Sequence, residues 1–513
     1  MRASITIFIC ISLFLFIYGC SSKSYSTDNN YDLLIENGTV IDGTGSAGVR
    51  SDVLIRDDQI IYIGDVNPSD IRVKRVLNAE GKVVTPGFID THAHGNPLRT
   101  PEFPNFLAMG VTTITLGQDG SSPSVGDTYN WMMDVKQAQP AVNIAHFVGH
   151  GSIRRKAGVD EKTDVSADEM QEMVDYVTEA MAAGSFGMTT GLEYLPGTYA
   201  GLNELTSLAE PVGRNNGLIM SHIRNEDDSN IEDSINELLE QGQNTDTPVH
   251  VSHIKIVYGN DVNRADDVLR IMQNARDKGQ TVTADIYPYT ASYTGIGIVF
   301  PDWAKAPNNY KQVVAERREE LVEFLQNRVN RRNGPESTLF GTPPYAGKTL
   351  AEVSEEAGKP FEDVLIDDIG PTGASAAYFV MNEDVMARFL VDPKVMVASD
   401  GSPTMRHPRG YGTFARIIKE YVVDKEVLTL ENAIHKMTGL PAVTLGMDKT
   451  RGFLKPNLAA DILIFDPKKV VDHADFENPH ILAEGFDYII VNGGLAIDDG
   501  KITNTPFGMM LRK

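Results

Sequence analysis

Outside its first twenty residues this chain has no cysteine, since Cys10 and Cys20 are its only two. A mature domain without thiols holds no disulfide, no thiolate nucleophile and no cysteine-ligated metal. Basic residues are scarce against acidic ones, 46 against 70, for a formal net charge of −24. Neutralising phosphates needs clustered Lys and Arg, so nucleic acid is excluded as a partner. The acid excess favours solubility and leaves the substrate open. A long apolar run is missing too: the stretch from Ile5 to Tyr18, preceded by Arg2, is too short to span a bilayer comfortably and reads as an export signal.

That stretch ends in IYGC, which resembles a bacterial lipobox with Cys20 as the lipidated first mature residue, although Tyr18 is bulkier than usual there. The expectation is an exported lipoprotein, periplasmic or at the cell surface, touching the membrane only through Cys20. An ordinary cleaved signal and an uncleaved anchor are the alternatives. Residues 21–30 are polar and suit a tether.

What is present is enough for a large core and a second, smaller domain: 513 residues, 42% of them hydrophobic. Near the start, LIENGTVID and VLIRDDQIIYIGD alternate apolar and polar residues, with turns expected at Asn37-Gly38 and Asp57-Asp58. The same grammar returns as YIIVNGGLAIDDGKIT, with turns at Asn492-Gly493 and Asp499-Gly500. Residues 31–84 and 446–513 should therefore join in one small β-sandwich domain. Between them, residues 85–445 alternate apolar strands with helical stretches such as Ala167 to Ala183 and Ser229 to Gln241, the pattern of a parallel (β/α)8 barrel. The alternation weakens over about 301–392, where a charged helix from Tyr310 to Arg332 suggests an insertion over the barrel mouth. Within it, GTPPYAGKT imitates a phosphate loop, but its spacing is wrong and two prolines remove backbone donors.

The segment TPGFIDTHAHGN, residues 85–96, sets His92 and His94 two apart at the end of an apolar strand, so both rings can share one face. Val83, Val84, Phe88 and Ile89 are expected to build that strand, with Pro86 and Gly87 where it begins. Further strand-like runs lead to Gln118 and Asp119, to Glu193, to His222, to His253, to Asp285, and to Ser399 and Asp400. In a parallel barrel the strand C-termini share one face, so these segments can converge. Four histidines and up to three carboxylates suit Zn²⁺ or another borderline divalent ion with N and O ligands. Other polar residues read more plainly. His250 is a core histidine, Asp285 fixes the loop that follows it, Arg224 and Glu226 form a local ion pair, and His146, His435, His473 and His480 serve surface or packing.

In order along the chain, GFIDTHAHGN, GVTTITLGQDG, GMTTGLEYLPG, SHIRNEDD, VSHIKI, ADIYPYTAS and ASDGSPTMRHPRGYGTFARI resemble the N-acyl-D-amino-acid deacylases of the amidohydrolase superfamily, over about residues 31–500. The resemblance implies a metal-dependent hydrolase with one or two zinc ions, acting on a small N-acyl amino acid or a short peptide ending in a D-residue. It makes His92 and His94 ligands of one subsite and His222 and His253 ligands of another. Asp400 becomes the catalytic base and a further ligand, and Arg409 the clamp on the substrate α-carboxylate. Lys255, Tyr194 and Tyr287 line the same pocket. From its position alone, in FVGHGSIR after the third strand, His150 reads as a substrate contact, a support behind the ligands or a structural residue. The family places a cysteine where GQDG has Asp119, so Asp119, Glu193 or both complete the metal set. Two other readings stay open: an isoaspartyl dipeptidase or cyclic amidase of the same superfamily, and a lipoprotein that kept the barrel without catalysis.

Overall fold

The computed structural model describes Tyr25, Ser26 and residues 29–513. The export signal, Cys10 and Cys20 lie outside the described residues, as does most of the tether. Among the described residues no helix is long and apolar enough to cross a membrane.

Eight parallel strands form the central sheet: β1 (Phe88–Asp90), β2 (Val111–Leu116), β3 (Asn143–Gly149), β4 (Gly187–Gly191), β5 (Leu218–His222), β6 (Val249–Val251), β7 (Val282–Ile286) and β8 (Val395–Val397). They pair in sequence order, and β7 pairs with β8. The sheet closes just beyond the last strand, where a parallel bridge joins Ala93 to Gly401. There the amide of His94 donates to Gly401 O at 2.7 Å and that of Asp400 to His92 O at 2.8 Å. Closure therefore places the HxH segment and Asp400 side by side.

Strand residues alternate between two cores, as the two-residue side-chain period requires. On β3, Ile144 and Val148 pack with the surrounding helices through Met173, Val177 and Ala180. Ala145 and Phe147 instead join Ile89 and Met220 inside the barrel. Burying a side chain of the size of Phe147 contributes about 1.5–3 kcal/mol. The helix Ala167–Ala183 starts at a full capping box between Ser166 and Glu169 and stops at left-handed Gly184, which satisfies the amides and carbonyls orphaned at its two ends.

The terminal segments share one nine-stranded sheet. Leu33, Ile35, Val53 and Ile55 point into one core, and the intervening Leu34 and Leu54 into another. Ile462 and Ile464 belong to the small core, while Leu463 and Phe465 pack on the barrel, so alternation in one strand joins the two bodies. Three of the expected turns form. Asn37-Gly38 does not: strand Asn30–Val40 runs straight through it, and the register shift between Ile35 and Gly38 makes it a bulge, with Asn37 at φ 66°.

The strand expected to lead into the HxH pair is two strands. Val83–Pro86 belongs to the terminal sheet and Phe88–Asp90 to the barrel. Gly87 is the crossing, and a Cβ there would lie 2.2 Å from Thr112 Oγ1; only glycine allows so close a passage. The insertion begins at Ala291 rather than at about 301. Strands Ala291–Gly295, Thr338–Phe340 and Ser375–Phe379 form an antiparallel sheet, packed with helix Tyr310–Arg331 around its own apolar core.

Candidate metal centre

Six strand ends deliver polar side chains to one mouth of the barrel. His92 and His94 follow β1, Asp119 follows β2, Glu193 follows β4, His222 ends β5, His253 follows β6 and Asp400 follows β8. Asp119, His253 and Asp400 all have positive φ, at 53°, 36° and 47°. Such a conformation is costly for residues other than glycine and persists where the surroundings over-determine it. Here it turns each side chain inward just past its strand.

Asp119 is the centre of the arrangement. Its Oδ1 lies 3.3 Å from His92 Nε2, 3.3 Å from His253 Nε2 and 3.8 Å from His222 Nδ1, while its Oδ2 lies 3.3 Å from His94 Nε2. Asp400 Oδ1 is 3.1 Å from His94 Nε2 and 3.7 Å from His92 Nε2. Glu193 Oε2 meets His222 Nε2 at 3.2 Å. Two ligand groups result, His92 with His94, Asp119 and Asp400, and Asp119 with His222 and His253; a third gathers Glu193, His222 and Glu226. Asp119 is common to the first two.

The donor set fits a divalent ion. His92 is fully buried, and neither of its ring nitrogens has a hydrogen-bond partner among the described residues. His222 Nδ1 and His253 Nε2 lie only 2.9 Å apart. Imidazole nitrogens directed at carboxylates in a buried pocket are the ligands zinc takes. Without an ion, protons must balance the acids. Burial lowers the His94 imidazole, but the hydrogen bonds of Asp119 and Asp400 outweigh it and carry it up to about 10. Burial likewise pushes the Asp400 carboxyl up, yet the Arg409 guanidinium and the neighbouring imidazoles win and hold it far below the ordinary carboxylate range.

A layer behind the ligands holds them in place. Asp285 accepts from the His253 amide and from Thr91 Oγ1, and its Oδ2 lies 2.9 Å from His250 Nε2. It thus fixes the β6 loop, and His250 is a core residue, as expected. Asp90 receives the amides of His92 and Ser399 at 3.1 and 3.0 Å, tying β1 to the end of β8. Burial pushes its carboxyl up to about 7.

The remaining candidates divide. Arg409 is buried; its Nη1 donates to Asp400 Oδ2 at 2.8 Å, and its guanidinium lies over the Tyr287 ring at 4.7 Å. The Tyr194 ring packs against His222 at a tilt of 40°, with 4.4 Å between ring centres. Lys255 donates to Glu226, which also lies 3.2 Å from His253 Nδ1. Arg409, Tyr194, Tyr287 and Lys255 all line a cavity of about 370 Å³ that contains Asp119 and Asp400.

Two expectations need correction. His150 is not in that lining. It is fully buried, with Nε2 2.7 Å from Glu204 Oε1, and Arg154 donates to the other Glu204 oxygen at 2.6 Å. Its ring supports the fold behind the 191–199 loop and does not face the cavity. Arg224 and Glu226 do not pair, because Arg224 binds Glu237 at 2.8 Å and leaves Glu226 to Lys255 and His253. Glu226 was missed as a site residue because adjacency in SHIRNED suggested a local partner, whereas β5 and β6 bring Lys255 beside it. His407 was missed as well; its Nδ1 accepts from the Arg409 amide and its Nε2 contacts Ala291 O at 3.0 Å, which seats the arginine.

Comparison with known proteins agrees with this geometry. An amidohydrolase family model matches residues 359–496. D-aminoacylase of Alcaligenes xylosoxydans xylosoxydans is 31% identical, over 96% of this chain and 99% of its own. N-acyl-D-glutamate deacylase of the same organism is 32% identical, over 94% and 96%. The crystal structure of N-acyl-D-glutamate deacylase from Bordetella bronchiseptica, complexed with zinc and a phosphonate mimic of the tetrahedral intermediate, matches with a TM-score of 0.83 at 30% identity, covering 94% of this chain and 100% of that one. Identity of this order along nearly whole chains goes beyond a shared barrel, and this chain belongs to the N-acyl-D-amino-acid deacylase family of the amidohydrolase superfamily.

Proposed function

We propose that this protein is a zinc-dependent amide hydrolase that removes the acyl group from N-acyl-D-amino acids or cleaves short peptides ending in a D-residue. The observation that carries the reading is the position of Asp400, with Oδ1 facing the imidazoles of His92 and His94 and Oδ2 held by Arg409. The general base thus stands between the ion-binding groups and the cation suited to a carboxylate.

His92, His94, Asp119, His222 and His253 would hold the ion or ions, with Asp400 and Glu193 at their margins. A divalent ion bound there supplies an acidified water and an electrophile for the amide carbonyl. Asp400 is ionised at neutral pH, takes the proton of the attacking water at Oδ1 and returns it to the departing nitrogen, because an amide nitrogen leaves poorly unless protonated. Arg409 has a buried Nε without a hydrogen-bond partner among the described residues, and its planar fork suits the substrate α-carboxylate. Tyr194, Tyr287 and Lys255 enclose the substrate. The proposal includes export and anchoring through a lipidated Cys20, a reading supported by the apolar run from Ile5 to Tyr18 and its IYGC ending.

Metal analysis of purified protein, with assays on paired D- and L-isomers of N-acyl amino acids, tests the reading. Bound zinc with hydrolysis of the D-isomer is expected. Activity that survives both Asp400→Asn and full chelation overturns it. Metabolic labelling with palmitate, lost in Cys20→Ala, tests the anchor.

A further inference from the structure

Three buried basic side chains line the catalytic cavity: Lys255, Arg332 and Arg409. Lys255 is paired with Glu226 and Arg409 with Asp400. Arg332 is only 2% exposed, yet no carboxylate among the described residues comes within 4 Å of it. The nearby acid, Asp227, is taken by Arg328 at 2.9 Å.

A guanidinium has five donors. The side chain of Arg332 makes one hydrogen bond among the described residues, a long one of 3.4 Å from Nη1 to Tyr258 Oη, and its buried Nε has none. Its guanidinium lies over two rings, Tyr378 at 4.9 Å and Tyr258 at 5.8 Å. Cation–π contacts and the carboxyl end of helix Tyr310–Arg331 stabilise a positive charge, but they leave most of its donors unused. A desolvated charge without an anion is expensive, and an anionic ligand relieves that cost.

We propose that Arg332 is a specificity-determining residue that binds a second carboxylate on the substrate, separate from the α-carboxylate held by Arg409. The inference rests on the deacylase reading and narrows it to dicarboxylic substrates. The second carboxylate belongs either to an acidic D-amino-acid side chain or to the far end of a dicarboxylic acyl group. Both present the same planar anion, which the rigid guanidinium fork recognises in two-point contact.

The zinc-loaded enzyme is assayed on N-acetyl-D-methionine, N-acetyl-D-glutamate and N-succinyl-D-methionine. The expected result is that one of the two dicarboxylates exceeds N-acetyl-D-methionine in kcat/KM by about 10-fold or more, and which one identifies the source. Arg332→Met should lose about 10- to 100-fold on that substrate and stay within about threefold on N-acetyl-D-methionine, with Arg332→Lys in between. In case burial keeps Arg332→Met from folding, inhibition of the wild-type enzyme by glutarate is compared with inhibition by butyrate, and glutarate should bind the tighter by about 10-fold. No dicarboxylate preference in the wild type, or an equal loss on all three substrates in the variant, overturns the role of Arg332 and leaves the deacylase intact. Hydrolysis of none of the three overturns the deacylase reading itself.

Discussion

Arg409 Nη1 and Asp400 Oδ2 are 2.8 Å apart, both buried, with His94 on the other oxygen of the same carboxylate. One acid is thus held from two sides, which sets where it can accept a proton. Asp400→Asn keeps the shape and removes the base. The expected loss in kcat is about 10²–10⁴-fold, with zinc still bound through the remaining ligands, as metal analysis and steady-state kinetics will show.

Arg409→Lys keeps the charge but not the fork. A rise in KM for N-acyl-D-amino acids of about 10-fold or more is expected, while the corresponding amides, which lack the α-carboxylate, should be turned over no worse by the variant than by the wild type. Equal damage on both would show that Arg409 serves only to position Asp400.

In chelated protein, protons stand in for the ion. Burial lowers the His253 imidazole, and so does Lys255, but Asp400, Asp119 and Glu226 outweigh them and carry it up to about 9, as the carboxylates carry His94 to about 10. Both folded values lie above the ordinary 6.5, so their contribution to stability is complete below pH 6.5 and is lost as pH rises through about 9 to 10. Chelated enzyme should therefore show a Tm that falls over this window, and zinc-loaded enzyme a smaller fall. Calorimetry at a series of pH values with and without chelator is the measurement.

The C-terminal tail is a clasp on the barrel. Gly508 N donates to Pro140 O, Ile144 N to Met509 O, Leu511 N to Ile144 O and Lys513 N to Gly184 O, all within 3.0 Å. Each such bond contributes about 0.5–1.5 kcal/mol. Deleting residues 507–513 should lower Tm by several degrees while the specific activity of the folded fraction stays near that of the full chain, since no tail residue lines the cavity.

Much of this architecture was legible in order along the chain. Apolar runs leading to His, Asp or Glu announced β2, β4, β5, β6, β7 and β8, and the helix expected at Ala167 to Ala183 forms over those residues. Errors arose where a local signal had two physical readings. Asn37-Gly38 offers the positive φ of a turn, but the same φ serves a bulge when partners continue on both sides, as Val53 and Ser51 do. Val83 to Asp90 reads as one apolar strand, and only two different sheets competing for its edges split it at Gly87.

By itself the sequence determined the residue chemistry. A domain without cysteine had to build any metal site from imidazole and carboxylate, and the spacing of apolar runs dictated parallel strands with these groups at their ends. Tertiary structure decided the pairings: Asp119 shared among four histidines, Glu226 with Lys255 rather than Arg224, His150 turned to Glu204, and Arg332 left in the cavity without an acid. Those outcomes depend on distances between strand ends far apart in the chain, set by barrel closure and by the packing of an inserted subdomain, and no local pattern of residues encodes them.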